Sequence, residues 1–522
     1  MASSKSSTAW KALAAHARKT AKIDMRTLFV GDSGRFGRFS LARDGLFLDY
    51  SKNRITPATM NLLLALAGEA DVVGWRRRMV AGEPINESEG RAALHMALRA
   101  KKGDGVGDKD SLARALRERA HLKRFVDDVH LGKRKGATGK PFRAAVAIGI
   151  GGSYLGPAMA VEALHPHRHA EFEVRFAANV DGTVIRRALS GLDPETTLVV
   201  VASKTFTTEE TMANARTARK WLAGALGDRE ALTHVTAVTT DADAADRFGV
   251  ACDNTFLVWD WVGGRFSLTS AMGLPLALAV GADNFEALLS GARDMDRHFL
   301  SAPLAKNLPV VLALVDIWNA SFLGFRARAV VPYDEGLAKL PAFLRQLEME
   351  SNGKPQGRGS APVVFGEPGT NAQHAFFQAL HQGPDVIPCD FIAASESPIT
   401  TGDHHQRLLA NMLAQAEALM RGRPAKDKAR ACPGNRPSNV ILLDRLDPFS
   451  LGQLVALYEH KTFVEGVVWG VNPFDQWGVE LGKELAAAIL PALKGKAGKA
   501  HRDSSTAGLI RRLRTKKKKI RP

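Results

Sequence analysis

Three stretches of this chain repeat one pattern, and that pattern leaves few folds open. Phe142-Arg-Ala-Ala-Val-Ala-Ile148 is an apolar run closed by Gly149-Ile-Gly151-Gly152-Ser153-Tyr154-Leu-Gly156-Pro157. It predicts a buried strand, a glycine turn, and a helix beginning near Pro157. Thr197-Leu-Val-Val-Val-Ala202 is a β-branched run followed by Ser203-Lys204-Thr205-Phe206-Thr207-Thr208-Glu209-Glu210, and Asn254 to Val258 precedes Trp259-Asp-Trp261-Val-Gly263-Gly264-Arg265. Apolar runs this continuous suit strands covered on both faces, so the expected class is α/β, with parallel-rich sheets under helices. Arg326 to Val331 and Phe391-Ile392 read as further strands, and Leu308 through Trp318, Asp403 to Met420 and Leu451 to Phe463 as helices.

The first two turns carry chemistry as well as geometry. Small residues at Gly149 to Gly152 let backbone N–H groups approach an anion at a helix start, and Ser153 adds a hydroxyl. Tyr154 stands where a dinucleotide fingerprint needs its third glycine, and no Gly-Lys-Ser/Thr follows, so neither a Rossmann motif nor a nucleotide P-loop is present. The second turn places Ser203, Lys204, Thr205, Thr207 and Thr208 within six residues, with Thr207 and Glu210 at capping-box spacing. Donor-rich turns on adjacent parallel strands meet at the carboxyl edge of a sheet, where open α/β folds bind ligands.

At 522 residues the chain is too long for one ordinary core. Its three cysteines, Cys252, Cys389 and Cys432, form no Cys-x-x-Cys pair, which disfavours a disulfide framework or thiolate metal site and suits a reducing compartment. The start of the chain lacks a signal-peptide core, and the longest apolar stretches are interrupted, so a cytoplasmic protein without membrane contact is expected. Of the net charge of +17, residues 494–522 carry +11, twelve Lys or Arg against Asp503, leaving +6 for everything else. That excess reads as a solvated, flexible basic tail, with at most weak phosphate-backbone contact to nucleic acid.

Residues 1 to about 100 read as helices: Trp10 to Lys22, Thr56 to Glu69, and Glu87 to Arg99, the last with Arg91 and a buried His95 on one face. In the second half, the helical run before Ser351-Asn352-Gly353 leaves Glu350 at its last turn, where an acid without a partner is disfavoured and its proton affinity rises. A second helix is expected from Thr370 to Gly383, with Thr370 and Gln373 as its capping box and His374 and His381 on one face.

The blocks Met349-Glu350-Ser351-Asn352-Gly353-Lys354, Gly366-Glu-Pro-Gly-Thr370-Asn-Ala-Gln373-His374-Ala-Phe376 and His381-Gln-Gly383 resemble the glucose-6-phosphate isomerase (phosphoglucose isomerase) family. Trp259 to Gly273 and Gly466 to Lys483 resemble two further family signatures, and the likeness runs from about residue 86 to residue 487. Tyr154 and Thr269 depart from it, standing where the family usually has Asp and an aromatic residue.

The resemblance implies two sugar-isomerase (SIS)-type αβα subdomains: residues 101–281, small and bearing the phosphate loops, and 282–493, large and bearing the catalytic base. Residues 1–100 are an N-terminal helical segment packed on the large domain, and 494–522 the tail. It implies interconversion of glucose 6-phosphate and fructose 6-phosphate through a cis-enediolate. Glu350 is the base, Arg265 stabilises the anion, and His381 with Lys483 opens the sugar ring. Gly152, Ser153, Ser203, Lys204, Thr205, Thr208, Gln346 and Gln476 bind substrate. No cofactor and no metal are expected, the partner is a sugar-phosphate substrate, and a homodimer with His381 reaching across the subunit interface is implied. The alternative is a non-catalytic sugar-phosphate-binding regulator of the same architecture.

Overall fold

The structure, a computed structural model, describes residues 7–20, 22–355, 359–399, 401–495 and 502–519. It divides into two units, Met1–Pro473 and Phe474–Pro522.

The first unit holds two sheets. The strands are β1 (Ser40–Arg43), β2 (Leu46–Asp49), β3 (Ala144–Ile148), β4 (Glu173–Ala177), β5 (Thr197–Ala202), β6 (Val235–Thr239), β7 (Thr255–Leu257), β8 (Ala327–Pro332), β9 (Val363–Phe365), β10 (Cys389–Glu396) and β11 (Ser438–Arg445). One sheet has the order β4-β3-β5-β6-β7 and every pairing in it is parallel. Its central strands β3, β5 and β6 are buried along their whole length, as apolar runs without alternation require. The chain leaves β3 toward β4 and returns to lay β5 on the other side, so the strand order reverses between β3 and β5. At such a switch point the two following loops part and open a crevice at the carboxyl edge, and here those loops are Gly149–Tyr154 and Ser203–Thr208.

The other sheet has the order β1-β2-β11-β10-β8-β9, parallel from β11 to β9. Its outer hairpin corrects the expectation of an all-helical stretch over residues 1–100. Leu46, Leu48 and Asp49 are buried, β2 runs antiparallel to β11, and the hairpin turn is Asp44-Gly45, both at positive φ (33° and 83°). Two left-handed residues match the twist of a two-residue hairpin, which is why Asp-Gly serves there. The expected helix over Glu87–Arg99 is also replaced. Asn86 bridges to Arg91, and a short 3-10 turn spans His95–Leu98, so Arg91 and His95 do not share a helix face, although His95 is buried. The helices expected at Trp10–Lys22 and Thr56–Glu69 form as Thr8–Thr20 and Pro57–Glu69, the latter capped by Thr56.

Beside the second sheet runs the helix Pro448–Trp469, buried at every position but one, against the helices Ala282–Ser301 and Leu308–Ile317. A Cβ on Gly452 would meet Leu288 O at 2.0 Å, so glycine sets the closeness of that crossing. Buried charges on this helix find partners far away in sequence. Glu459 accepts from Arg99 Nη1 at 2.7 Å, and His460 Nε2 lies 2.7 Å from Asp296 Oδ1, which also accepts from Arg99 Nη2 at 2.7 Å.

Desolvation works against the Asp296 charge, but Arg99 and His460 outweigh it and bring its pKa down from 3.8 to about 2. A carboxyl depressed on folding contributes stability that is complete above its unfolded value and lost as pH falls from about 4 to about 2. Asp296→Asn leaves Arg99 buried with one anion fewer, and is expected to cost about 3–5 kcal/mol. Urea unfolding midpoints at neutral pH and across that acid window check both parts: the Asn variant starts lower and declines less.

Among the described residues, the second unit holds the helices Trp477–Leu493 and Ser504–Lys519. Where an irregular tail is expected, Ser504–Lys519 is helical, since the run Ala507-Gly-Leu-Ile510-Arg-Arg-Leu513 carries enough good helix formers to sustain turns. The rest of the expected tail includes 496–501 and 520–522, which lie outside the described residues. Among the described residues no helix is long and apolar enough to cross a membrane.

Candidate active site

Three backbone segments meet at the β3–β5 switch point. The first is the glycine loop, which forms a 3-10 turn over Gly151–Ser153 before the helix Leu155–Ala163. The second is the 3-10 turn Gly264–Phe266, which follows β7 and carries Arg265. The third is a π-helical turn, Gln346–Glu350, continuing the helix Leu340–Arg345. Such a turn inserts an extra residue and re-aims side chains, a device found often at functional sites.

Contacts between these segments are tight enough to fix their relative positions. A Cβ on Gly152 would stand 2.1 Å from Gly264 O and 2.7 Å from Arg265 N, and one on Gly151 would stand 3.2 Å from Gln346 Nε2. Backbone atoms cannot step aside as a flexible side chain can. Gly152→Ala is therefore expected to push the Arg265 turn away by about 1 Å and lower turnover about 100-fold. Steady-state kinetics on the folded variant check this, with an unchanged rate counting against the packing.

Arg265 is held from several directions. Its side chain is 2 % exposed, Nε donates to Ser351 Oγ at 2.6 Å, Nη2 donates to Pro473 O at 2.7 Å, and Nη1 stands 3.8 Å from Glu350 Oε1. The other carboxylate oxygen, Oε2, accepts from Gln346 Nε2 at 2.8 Å. The acid at the helix end thus has Gln346 and Arg265 beside it. At 3.8 Å the guanidinium attracts Oε1 without hydrogen-bonding it, so Oε1 keeps a lone pair for a proton while facing a fixed positive charge.

The second donor loop is built as expected at the sheet edge but not as a helix cap. The helix Glu209–Leu226 starts at Thr208 without a side-chain cap bond, and Thr207 Oγ1 instead lies 2.7 Å from Thr205 Oγ1. Ser203 Oγ donates to Thr208 Oγ1 at 3.2 Å. Phe206 takes a φ of 52°, uncommon for a side chain of this size, with its ring buried against Phe248, while Thr205 and Thr207 stay exposed. Lys204 Nζ reaches across to Asp260 O and Val262 O at 3.3 and 3.2 Å, tying this loop to the segment that leads into Arg265. Burial lowers the Lys204 ammonium below its ordinary value, with Asp260 partly offsetting that.

The remaining predicted residues lie elsewhere. The single helix expected over Thr370–Gly383 is two short ones, Gly369–Gln373 and Phe377–Gln382, broken at His374. Gln373 makes no cap and donates to Tyr333 Oη at 2.7 Å. His381 packs near Phe377 and its Nε2 lies 2.9 Å from Gln415 Oε1, so its contacts run to the helix His404–Arg421 rather than to Glu350. Gln476 and Lys483 belong to the second unit, where Lys483 Nζ pairs with Glu480 at 2.9 Å. Ser351 is the functional residue that sequence reasoning missed. Its place beside Asn352-Gly353 reads as a helix stop, and nothing local reveals that its hydroxyl receives a guanidinium from residue 265.

Fold and site together define an α/β protein with a ligand crevice at the switch point of a parallel sheet. The chain matches the phosphoglucose isomerase family over residues 49–510. It is 48 % identical over 541 aligned positions to a Chlorobium phaeobacteroides protein named glucose-6-phosphate isomerase, covering 98 % of this chain and 96 % of that one. A Brucella melitensis protein of the same name is 50 % identical, with 96 % and 97 % covered. The crystal structure of a glucose-6-phosphate isomerase from Chlamydia trachomatis superposes with a TM-score of 0.86 at 32 % identity, covering 97 % of this chain and 98 % of that one. The chain belongs to the phosphoglucose isomerase family.

Proposed function

We propose that this chain interconverts D-glucose 6-phosphate and D-fructose 6-phosphate by proton transfer between C1 and C2. The observation that carries the reading is the Glu350–Arg265 arrangement, a carboxylate with one oxygen engaged by Gln346 and the other facing a fully held guanidinium. A C–H beside a carbonyl is a weak acid, so its removal needs a positioned base and a stabilised enediolate rather than a redox partner.

Glu350 takes the proton from C2 of the open-chain aldose. The electron pair moves into the C1–C2 bond and the carbonyl oxygen takes up negative charge beside Arg265. Glu350 then returns the proton to C1 as the hydroxyl proton on O2 passes to O1, leaving the ketose. Gly152, Ser153, Ser203, Lys204, Thr205 and Thr208 hold the distant phosphate, and that binding energy orients the reacting carbons. Gln346 and Gln476 contact the sugar. His381, assisted by Lys483, opens the ring by moving a proton between the ring oxygen and the C1 hydroxyl. In the same reading the working form is a homodimer with His381 serving the partner's site, and three free cysteines suit a cytoplasmic place in glycolysis and gluconeogenesis.

A regulator that only senses sugar phosphates needs the donor loops but has no use for a base faced by a guanidinium, so the observations favour catalysis. The deciding experiment feeds fructose 6-phosphate to purified protein and reads glucose 6-phosphate through a coupled dehydrogenase, in D₂O to follow label entering C2. Turnover with label entry is expected; binding of the sugar phosphate without turnover would establish the regulator instead.

A further inference from the structure

The π-helical turn that carries Glu350 sends a second carboxylate, Glu348, into the interior. Glu348 is fully buried, and its two oxygens accept from Arg328 Nη2 at 2.5 and 2.6 Å and from Lys461 Nζ at 3.1 Å. Lys461 also donates to Asp316 at 2.8 Å and to Glu465, while Arg328 bonds to Asp316 and stands 3.4 Å from Asp390. Asp316, Glu348 and Glu465 bring oxygens within 4.8 Å of one another, a grouping that could by itself hold a metal ion. Here the Lys461 ammonium touches all three, so the cation of the cluster is supplied by the chain.

Charge balance supports that role. Four carboxyls surround two cations, which would leave two buried negative charges in excess. Burial pushes both Glu465 and Asp390 above their ordinary values toward the neutral acid, with Lys461 and Arg328 respectively opposing. Asp316, despite its desolvation, is held low by Arg328 and Lys461. A buried ion cluster of this kind adds little net stability, because desolvation offsets most of the Coulomb gain; what it can supply is a single geometry.

That geometry bears on Glu350 from both sides. Two residues before it, Glu348 is fixed to Lys461; two residues after it, Asn352 Nδ2 donates to Thr462 O at 2.9 Å. Both anchors lie on the helix Pro448–Trp469, which is buried at almost every position. We infer that Lys461 is a positioning residue for the isomerisation, its ammonium setting through Glu348 the rotation of the π-helical turn and hence where the Glu350 carboxylate stands. The inference rests on the isomerase reading.

The test compares wild type, Lys461→Met, Glu348→Gln, Glu350→Gln and the doubles that join each of the first two to Glu350→Gln. Rates are expressed per folded site, counted from circular dichroism melts. Lys461→Met is expected to lower kcat about 100-fold, the scale of a misplacement near 1 Å, with KM for fructose 6-phosphate little changed. Because the loss passes through Glu350, the double variant should be no slower than Glu350→Gln alone. Glu348→Gln keeps shape and volume, so it carries the same comparison if Lys461→Met does not fold. A lowered melting temperature with wild-type kcat per folded site would overturn the inference, as would losses that simply multiply in the doubles. A folded wild type without activity would overturn the isomerase reading and this inference together.

Discussion

Glu350→Gln is expected to lower kcat about 10⁴-fold while KM for the sugar phosphate stays nearly constant, the loss appropriate to a general base. The substitution keeps the size of the side chain and a hydrogen-bonding partner for Gln346, which now donates to Glu350 Oε2. It removes the lone pair of Oε1 that faces Arg265, and an amide oxygen is far too weak a base to take a carbon-bound proton. The phosphate loops do not touch this side chain by any bond described above, so substrate affinity has no reason to follow turnover down. Exchange of the C2 proton with solvent should vanish along with isomerisation, since one group performs both halves of the transfer. A variant that still exchanges label at the wild-type rate would remove Glu350 from the role of base.

The parts of the fold that could be read in the sequence are those where local pattern and tertiary environment agree. Continuous apolar runs at 144–148 and 197–202 are strands because both faces are covered, and the loops after them are donor-rich because they open on the switch point. The hairpin Ser40–Asp49 was also readable, through Asp44-Gly45 between two short runs, but helical segments on either side obscured it. The break at His374 was not readable, because Thr370 to Gln382 carries no proline or glycine to mark it, and Gln373, at capping-box spacing from Thr370, bonds Tyr333 instead. Least visible are the polar groups of Glu459, His460 and Lys461. In sequence they look like solvated helix positions, yet all three are buried, and their partners Arg99, Asp296, Asp316 and Glu348 come from four separate segments. A sequence shows that a charge exists but not whether a counter-charge awaits it, so buried ion networks are the layer of structure that local patterns hide most completely.

The same limit explains why Arg265 was assignable while its holding contacts were not. Glycines at 263 and 264 announce a close approach, but the acceptors for the guanidinium are Ser351 and the carbonyl of Pro473. With Nε and Nη2 committed to those acceptors, the guanidinium is fixed in place before substrate arrives, and no reorganisation is needed as enediolate charge develops. Arg265→Met is accordingly expected to lower kcat about 10³-fold with little effect on KM, the upper end of what one oxyanion donor supplies. Arg265→Lys should recover only a small part of that, because a single ammonium cannot bond Ser351 and Pro473 O and still face Glu350. An anionic mimic of the enediolate provides a second reading: its affinity should fall in proportion to kcat/KM across the wild type and both variants, whereas the affinity of the ground-state sugar phosphate should not. If KM rises by the whole factor and kcat is preserved, Arg265 binds substrate and transition state alike, and the stabilisation of the anion must come from another group.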